Sequence, residues 1–228
     1  MPWTTPYKER RVDGRHYFLT GPGSQWFPVA FTQSLVPGGR PYRFVCREQF
    51  MMAAKAEAFG DADALDAILR AVPPDRPAKE WSALTVDEVQ ATLPDTMARV
   101  AARLAADPVA TLSVFNKYPR AQKQFGRDVR GFAEDAWTVL REEVVHAGSV
   151  AAAAQDPTYR AWLLASEGHE FVEGSGKDRI WGVGLDWADD RILDRANWVG
   201  LNLLGKANGL ALDWTLRNSG FLRDFHDA

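Results

Sequence analysis

Residues 47–56 read Arg-Glu-Gln-Phe-Met-Met-Ala-Ala-Lys-Ala, a run that is apolar on nearly every side when wound as a helix. At about 100° per residue, Glu48, Met51, Met52, Lys55 and, further on, Phe59 share one face, while Phe50, Ala53 and Ala54 take the other. A helix that is apolar all round is a buried helix, so other elements must wrap it. Burying the two charges, Glu48 and Lys55, is expensive unless they are paired or used. They stand two turns apart, about 10 Å along the axis, too far for an i, i+4 pair but close enough to face one cleft. The pattern equally permits both to emerge at a surface edge without a function.

A chain of 228 residues is long enough to enclose such a helix in a single domain. Around it, the first 45 residues alternate aromatic, β-prone pieces (16–19, 42–45) with turn signals at Gly21-Pro22-Gly23 and Pro37-Gly38-Gly39. Helical patterning covers 47–69 and stops at the prolines of 73–77. Residues 78–116 read as helical hairpins, with a capping box from Thr85 to Glu88 and an amphipathic run from Asp95 through 97–106. A helix over 128–148 is expected to stop at Gly148, followed by helical pieces at 149–154 and 157–166. A glycine-rich loop spans 173–184, and a last helix covers 203–217. Strands are few and short, so the fold expected is mainly α.

Several function classes drop out. The formal net charge of −3 argues against a dedicated nucleic-acid binder, although Lys117, Arg120, Lys123 and Arg127 make one basic stripe. That stripe also reads as a solvated helix face. His16, His146, His169 and His226 lack metal-ligand spacing and Cys46 has no second cysteine, so no zinc site is expected. The single cysteine suits a reducing cytosol. No apolar run is long enough to span a membrane, and residues 1–5 do not open a secretory leader, so a cytoplasmic location is expected. Phosphate-loop, dinucleotide and serine-elbow motifs are missing. The chemistry left is that of carboxylates, a lysine, or both.

Two further segments carry candidate groups. In Glu173-Gly174-Ser175-Gly176-Lys177-Asp178-Arg179-Ile180-Trp181-Gly182, glycines allow close backbone approach and Trp181 offers a stacking face beside Asp178. The competing reading is a tight turn capped by Asp178, with Trp181 plugging the core. In the second segment Arg127, read as the start of a helix, would clamp a phosphate with the help of free backbone N–H groups. Trp137, ten residues on, either stacks on a base or packs in the core.

Taken in order, these segments resemble the NADAR (YbiA-like) superfamily. Gly21-Pro22-Gly23-Ser24-Gln25-Trp26-Phe27-Pro28 resembles its opening "GPFSQWYP", and 48–61 its "EQYMMAxKAxxFGD" helix. Residues 123–137 are similar to "KxxGRxVxxFxxxxW", 173–184 to "EASPxDRIWGIG", and 198–205 to "WxGxNxLG". The resemblance implies a mainly helical N-glycosidase needing no cofactor and no metal, with activities such as cleavage of riboflavin-pathway intermediates or removal of ADP-ribose from guanine in nucleic acid. Residue by residue, it implies Glu48 and Asp178 as catalytic carboxylates and Lys55 as a nucleophile able to form a Schiff base. Ser24, Gln25, Trp26, Arg127, Trp137, Arg179, Trp181 and Gly182 would bind substrate. The substrate expected is an ADP-ribosyl or ribosyl-phosphate conjugate, with nucleic acid as its possible carrier. A catalytically silent ADP-ribose reader is the alternative of another class. The chain departs from the family over 72–117, expected to be a helical insertion that forms a lid or arm, in an eroded "KFxQN" at 153–156, and in its longer last helix.

Overall fold

The computed structural model describes residues 6–218, so the readings made on residues 1–5 and on His226 lie outside it. The fold is mainly α, with five four-residue strands in two small sheets among the described residues. No helix among the described residues is long and apolar enough to cross a membrane. The chain forms two compact units, one of residues 28–144 and the other of 6–27 with 145–218.

In the unit of residues 28–144, β3 (Phe31–Ser34) and β4 (Pro41–Phe44) pair antiparallel and lead into α1 (Arg47–Ala58). Every residue from Arg47 to Ala56 is buried, as the all-round apolar pattern requires. Gln49 fixes the start of the helix: its side-chain oxygen accepts the Val45 N–H (3.0 Å) and its amide donates to the Ile68 carbonyl (3.0 Å). The single helix expected over 47–69 is two. Gly60 takes φ +69°, and Asp61 then caps α2 (Ala62–Arg70) by accepting the Ala64 N–H. Positive φ suits glycine, and aspartate is a preferred N-cap.

The segment 72–117 holds α3 (Ala78–Trp81), α4 (Val86–Ala106) and α5 (Pro108–Phe115). The capping box at Thr85 and Glu88 is present. The helix then passes through Pro94 rather than restarting at Asp95. Proline cannot supply the N–H due to the Gln90 carbonyl; the Arg43 guanidinium donates there instead (3.4 Å), while the Gln90 amide bonds both backbone groups of Arg43. Val89, Leu93, Met97 and Phe115 join Val45, Cys46 and Val72 in one buried cluster, so the segment enlarges the core of its own unit.

Next comes α6 (Lys117–Arg127), packed on α1 at Gly126, where any Cβ would collide with the Met52 side chain. Residues 128–133 form a loop, with Gly131 at φ +72°. Hence the helix expected from 128 begins only at Glu134 as α7 (Glu134–Gln155). It does not stop at Gly148, and the piece expected at 149–154 is its continuation. A glycine costs about 1 kcal/mol inside a helix, which flanking alanines readily offset.

In the other unit, β1 (Glu9–Val12) and β2 (Arg15–Phe18) make a hairpin whose two turn residues, Asp13 and Gly14, both have positive φ. Strand β5 (Glu170–Glu173) lies parallel to β2. Tyr17, Val172, Val183 and Ile192 form a core cluster over this sheet. A buried polar joint ties the hairpin to α8 (Pro157–Leu164) and the residues just after it. His16 contacts the Ser166 hydroxyl (2.8 Å) and the Glu9 carboxylate (3.1 Å), and the Trp162 indole N–H donates to Glu9 (3.0 Å). Helix α9 (Leu203–Arg217) packs on α8 and β5.

Candidate functional site

Four of the expected site residues belong to α1, α6 and α7 in the unit of residues 28–144. Glu48, in the first turn of α1, is 3 % exposed and Lys55, in its last turn, is 7 % exposed. Both are therefore buried rather than emerging at a surface edge. The Lys55 Nζ lies 3.8 Å from the centroid of the Phe132 ring and 5.9 Å from that of Trp137. Trp137 is itself 7 % exposed, so it is a buried residue and a neighbour of the amine at once. Burial pushes the Lys55 pKa below that of an ordinary lysine. The nearby Glu134 charge opposes that shift and the Arg127 charge adds to it. Among the described residues the Lys55 side chain makes no hydrogen bond and no ion pair. A desolvated, unpaired lysine is the kind that serves as a nucleophile, because a larger share of it is the free amine.

Arg127 does not stand where the sequence placed it. It is the last residue of α6, not the start of a helix, so no set of free N-terminal N–H groups assists it. Its side chain is exposed, as are those of Lys117, Arg120 and Gln124, which recur along one face of α6, while Lys123 is half-buried.

Much of what looks like motif in this unit is scaffolding. Asp61 accepts the Arg130 backbone N–H (2.8 Å) and two guanidinium bonds (2.6 and 3.2 Å), and this holds its carboxyl well below the usual carboxylate range. Cys46 is buried against Gln122, and burial pushes its thiol pKa up, so it offers no reactive thiolate.

Asp178, Arg179, Trp181 and Gly182 lie in the other unit, on the loop after β5. Asp178 Oδ1 accepts the N–H groups of Ile180 (2.9 Å) and Trp181 (2.8 Å), so it caps its own turn, as one of the two sequence readings had it. Trp181 is only half-buried and does not plug the core, and Arg179 is exposed. Several loop N–H groups are already engaged within the loop: besides Ile180 and Trp181, that of Val183 donates to the Glu173 carbonyl (3.0 Å). The closing "WxGxNxLG" residues hold this loop. The Asn202 side chain bonds the Phe171 carbonyl (2.9 Å) and the Glu173 N–H (3.0 Å). The N–H groups of Leu203 and Leu204, opening α9, donate to the loop carbonyls of Ile180 and Trp181. A side chain at Gly200 would strike the Gly182 carbonyl.

The Gly21-to-Phe27 turn belongs to the same unit. The Ser24 hydroxyl accepts the Trp26 N–H (3.3 Å). Gln25 is 4 % exposed, and its side-chain oxygen has no hydrogen-bond partner among the described residues. Gly23 stands where the family pattern has Phe; the Trp162 ring approaches to 2.5 Å of where its Cβ would be, filling that space. No group of three or more His, Cys, Asp or Glu side chains among the described residues is arranged to hold a metal ion.

These elements define a helical protein with a buried amine and carboxylate on one central helix, and comparison with known proteins places it. The NADAR domain matches residues 92–209, just over half of the chain, and the protein belongs to that family. It is 28 % identical to an N-glycosidase of Acanthamoeba polyphaga mimivirus over 188 residues, 80 % of this chain and 81 % of that one. It is 34 % identical to Protein irg-1 of Caenorhabditis elegans over 90 residues, 39 % of this chain and 42 % of that one. The matched domain takes in Arg127, Phe132, Trp137 and the Asp178 loop, and it begins inside the segment expected as an insertion. Ser24, Gln25, Trp26, Glu48 and Lys55 lie outside it.

Proposed function

We propose that the protein is an N-glycosidase that hydrolyses a ribosyl–nitrogen bond, with Lys55 as its nucleophile. One observation carries the reading: a buried lysine whose side chain has no hydrogen bond or ion pair among the described residues, flanked by two aromatic rings, and whose ammonium form is disfavoured by burial. Membership of the NADAR family and likeness to a protein named as an N-glycosidase support the reaction class.

The free amine attacks C1′ as the C1′–N bond breaks, and the departing base takes a proton. The attached nitrogen loses a proton, the ribose ring opens onto its protonated ring oxygen, and Lys55 is left as a protonated Schiff base. Water adds to it and the sugar leaves as the aldehyde, returning the amine; the net change is consumption of one water. Glu48 serves to activate that water or to stabilise positive charge at C1′. Asp178 enters as the second carboxylate on the strength of its motif. Gln25 enters as a binding group, because its buried amide oxygen lacks a donor among the described residues, a deficit of about 1–3 kcal/mol that a ligand N–H would offset. The substrate we favour is an ADP-ribosyl conjugate of a nucleobase, guanine in nucleic acid in particular. The exposed cations along α6 suit its phosphates, and Trp137 suits its base.

The test incubates the protein with ADP-ribosylated DNA and with ribosylated riboflavin intermediates side by side, with cyanoborohydride added to trap an imine. Lys55→Arg should abolish trapping, and Glu48→Gln should lower turnover by at least about 10²-fold while folding is kept. A Lys55→Arg variant that turns over at the parent rate removes the nucleophile from this reading.

A further inference from the structure

The Lys55 amine has a roof that the sequence reading gave no role. Phe132 sits on the 128–133 loop, with its ring centroid 3.8 Å from Nζ, and is 37 % exposed. The ring is held from several directions. Phe59, which ends α1, meets it edge-on at 5.3 Å. Next to it, Gly131 takes φ +72°, and Arg130 is clamped to Asp61 and Asp63. The loop is thus pinned to the start of α2 immediately before the ring.

We propose that Phe132 is a positioning residue: its ring roofs the Lys55 amine, excludes water from it, and keeps it available as the uncharged nucleophile. This rests on the reading of Lys55 given above. An aromatic face acts on a lysine in two opposing ways. Its quadrupole attracts the ammonium, while the water it displaces is lost to the charged form. Burial is the first cause of the lowered Lys55 pKa, and the Phe132 ring 3.8 Å from Nζ is part of what buries the amine. The charges that act on it are Arg127 on α6 and Glu134 on α7; Glu48 and Glu57 are the acidic residues of α1 itself, and the Asp61–Arg130 pair joins the start of α2 to the 128–133 loop. Replacing Phe132 leaves all of these in place and removes only the cover.

The experiment titrates the full chain after reductive methylation with ¹³C-formaldehyde, each lysine being followed by NMR and the Lys55 resonance identified by its loss in Lys55→Arg. Phe132→Ala should raise the Lys55 midpoint by roughly one unit, a tenfold smaller share of free amine at a given pH. Phe132→Leu, an apolar cover without a π face, should stay close to the parent. In parallel, imine formation with ADP-ribose, trapped by cyanoborohydride and located by mass spectrometry, should slow about tenfold at neutral pH in Phe132→Ala and recover as pH is raised. An unchanged or lowered midpoint in Phe132→Ala overturns the proposal, and so does a leucine variant that behaves like alanine. If the midpoint moves as expected while Lys55→Arg keeps full N-glycosidase activity, the roof stands and the nucleophile reading fails.

Discussion

At the scale of single residues, the polar groups of the motif-bearing segments divide into those that hold the backbone and those that do not. Asp61 is of the first kind. Its carboxyl is held down by Arg130, whereas in an unfolded chain an aspartate ionises near pH ~3.9. A depressed folded pKa contributes stability that is present above the unfolded value and is lost as pH falls toward the folded one. Asp61→Asn keeps the N-cap, since asparagine caps as well as aspartate. It should therefore melt below the parent at neutral pH, with the gap closing as pH is taken below about 4. Melting temperatures of the two proteins across that range check this. Lys55 is of the second kind: its side chain is buried, flanked by rings and without a hydrogen bond among the described residues. The sequence marked it as costly to bury, and its burial is what the structure supplies.

At the scale of elements, the crossing of α1 and α6 depends on one missing side chain. In an ordinary exposed helix, glycine to alanine stabilises by about 1 kcal/mol. At Gly126 the added methyl would run into Met52, whose Cβ lies 3.0 Å away, so rotation of the methionine cannot clear it. Gly126→Ala should destabilise by about 1–3 kcal/mol, as overpacking does. Met52→Ala in the same chain should restore part of the loss, as read in urea unfolding. How much of this level was legible depends on what each element's boundary rests on. The Thr85 capping box was readable because local side chains define it. The break at Gly60 and the run through Pro94 were not, since the Arg130 clamp and the Arg43 guanidinium come from elsewhere in the chain.

At the scale of the whole molecule, a net charge of −3 coexists with the exposed cations of α6. If phosphates of a nucleic-acid conjugate track that face, Lys117→Glu with Arg120→Glu should raise KM for ADP-ribosylated DNA. It should also flatten the salt dependence by roughly one log–log unit for each phosphate no longer neutralised. Free ADP-ribosyl nucleoside should be cleaved as before. Equal effects on both substrates, measured from 50 to 200 mM salt or thereabouts, would show that the face serves packing and not phosphate.

The sequence by itself determined the helical class, the burial of the helix at 47–56 and the family, because periodicity, caps and ordered motifs are local properties of the chain. It also singled out the groups whose burial would be costly. Tertiary structure alone decided what surrounds them. It put Phe132 over Lys55, turned Arg127 into a helix end, and committed Asp178 Oδ1 to its own turn. Burial and hydrogen-bond supply depend on neighbours distant in sequence, so no periodicity along one segment can reveal whether a buried charge is paired, roofed or left free to react.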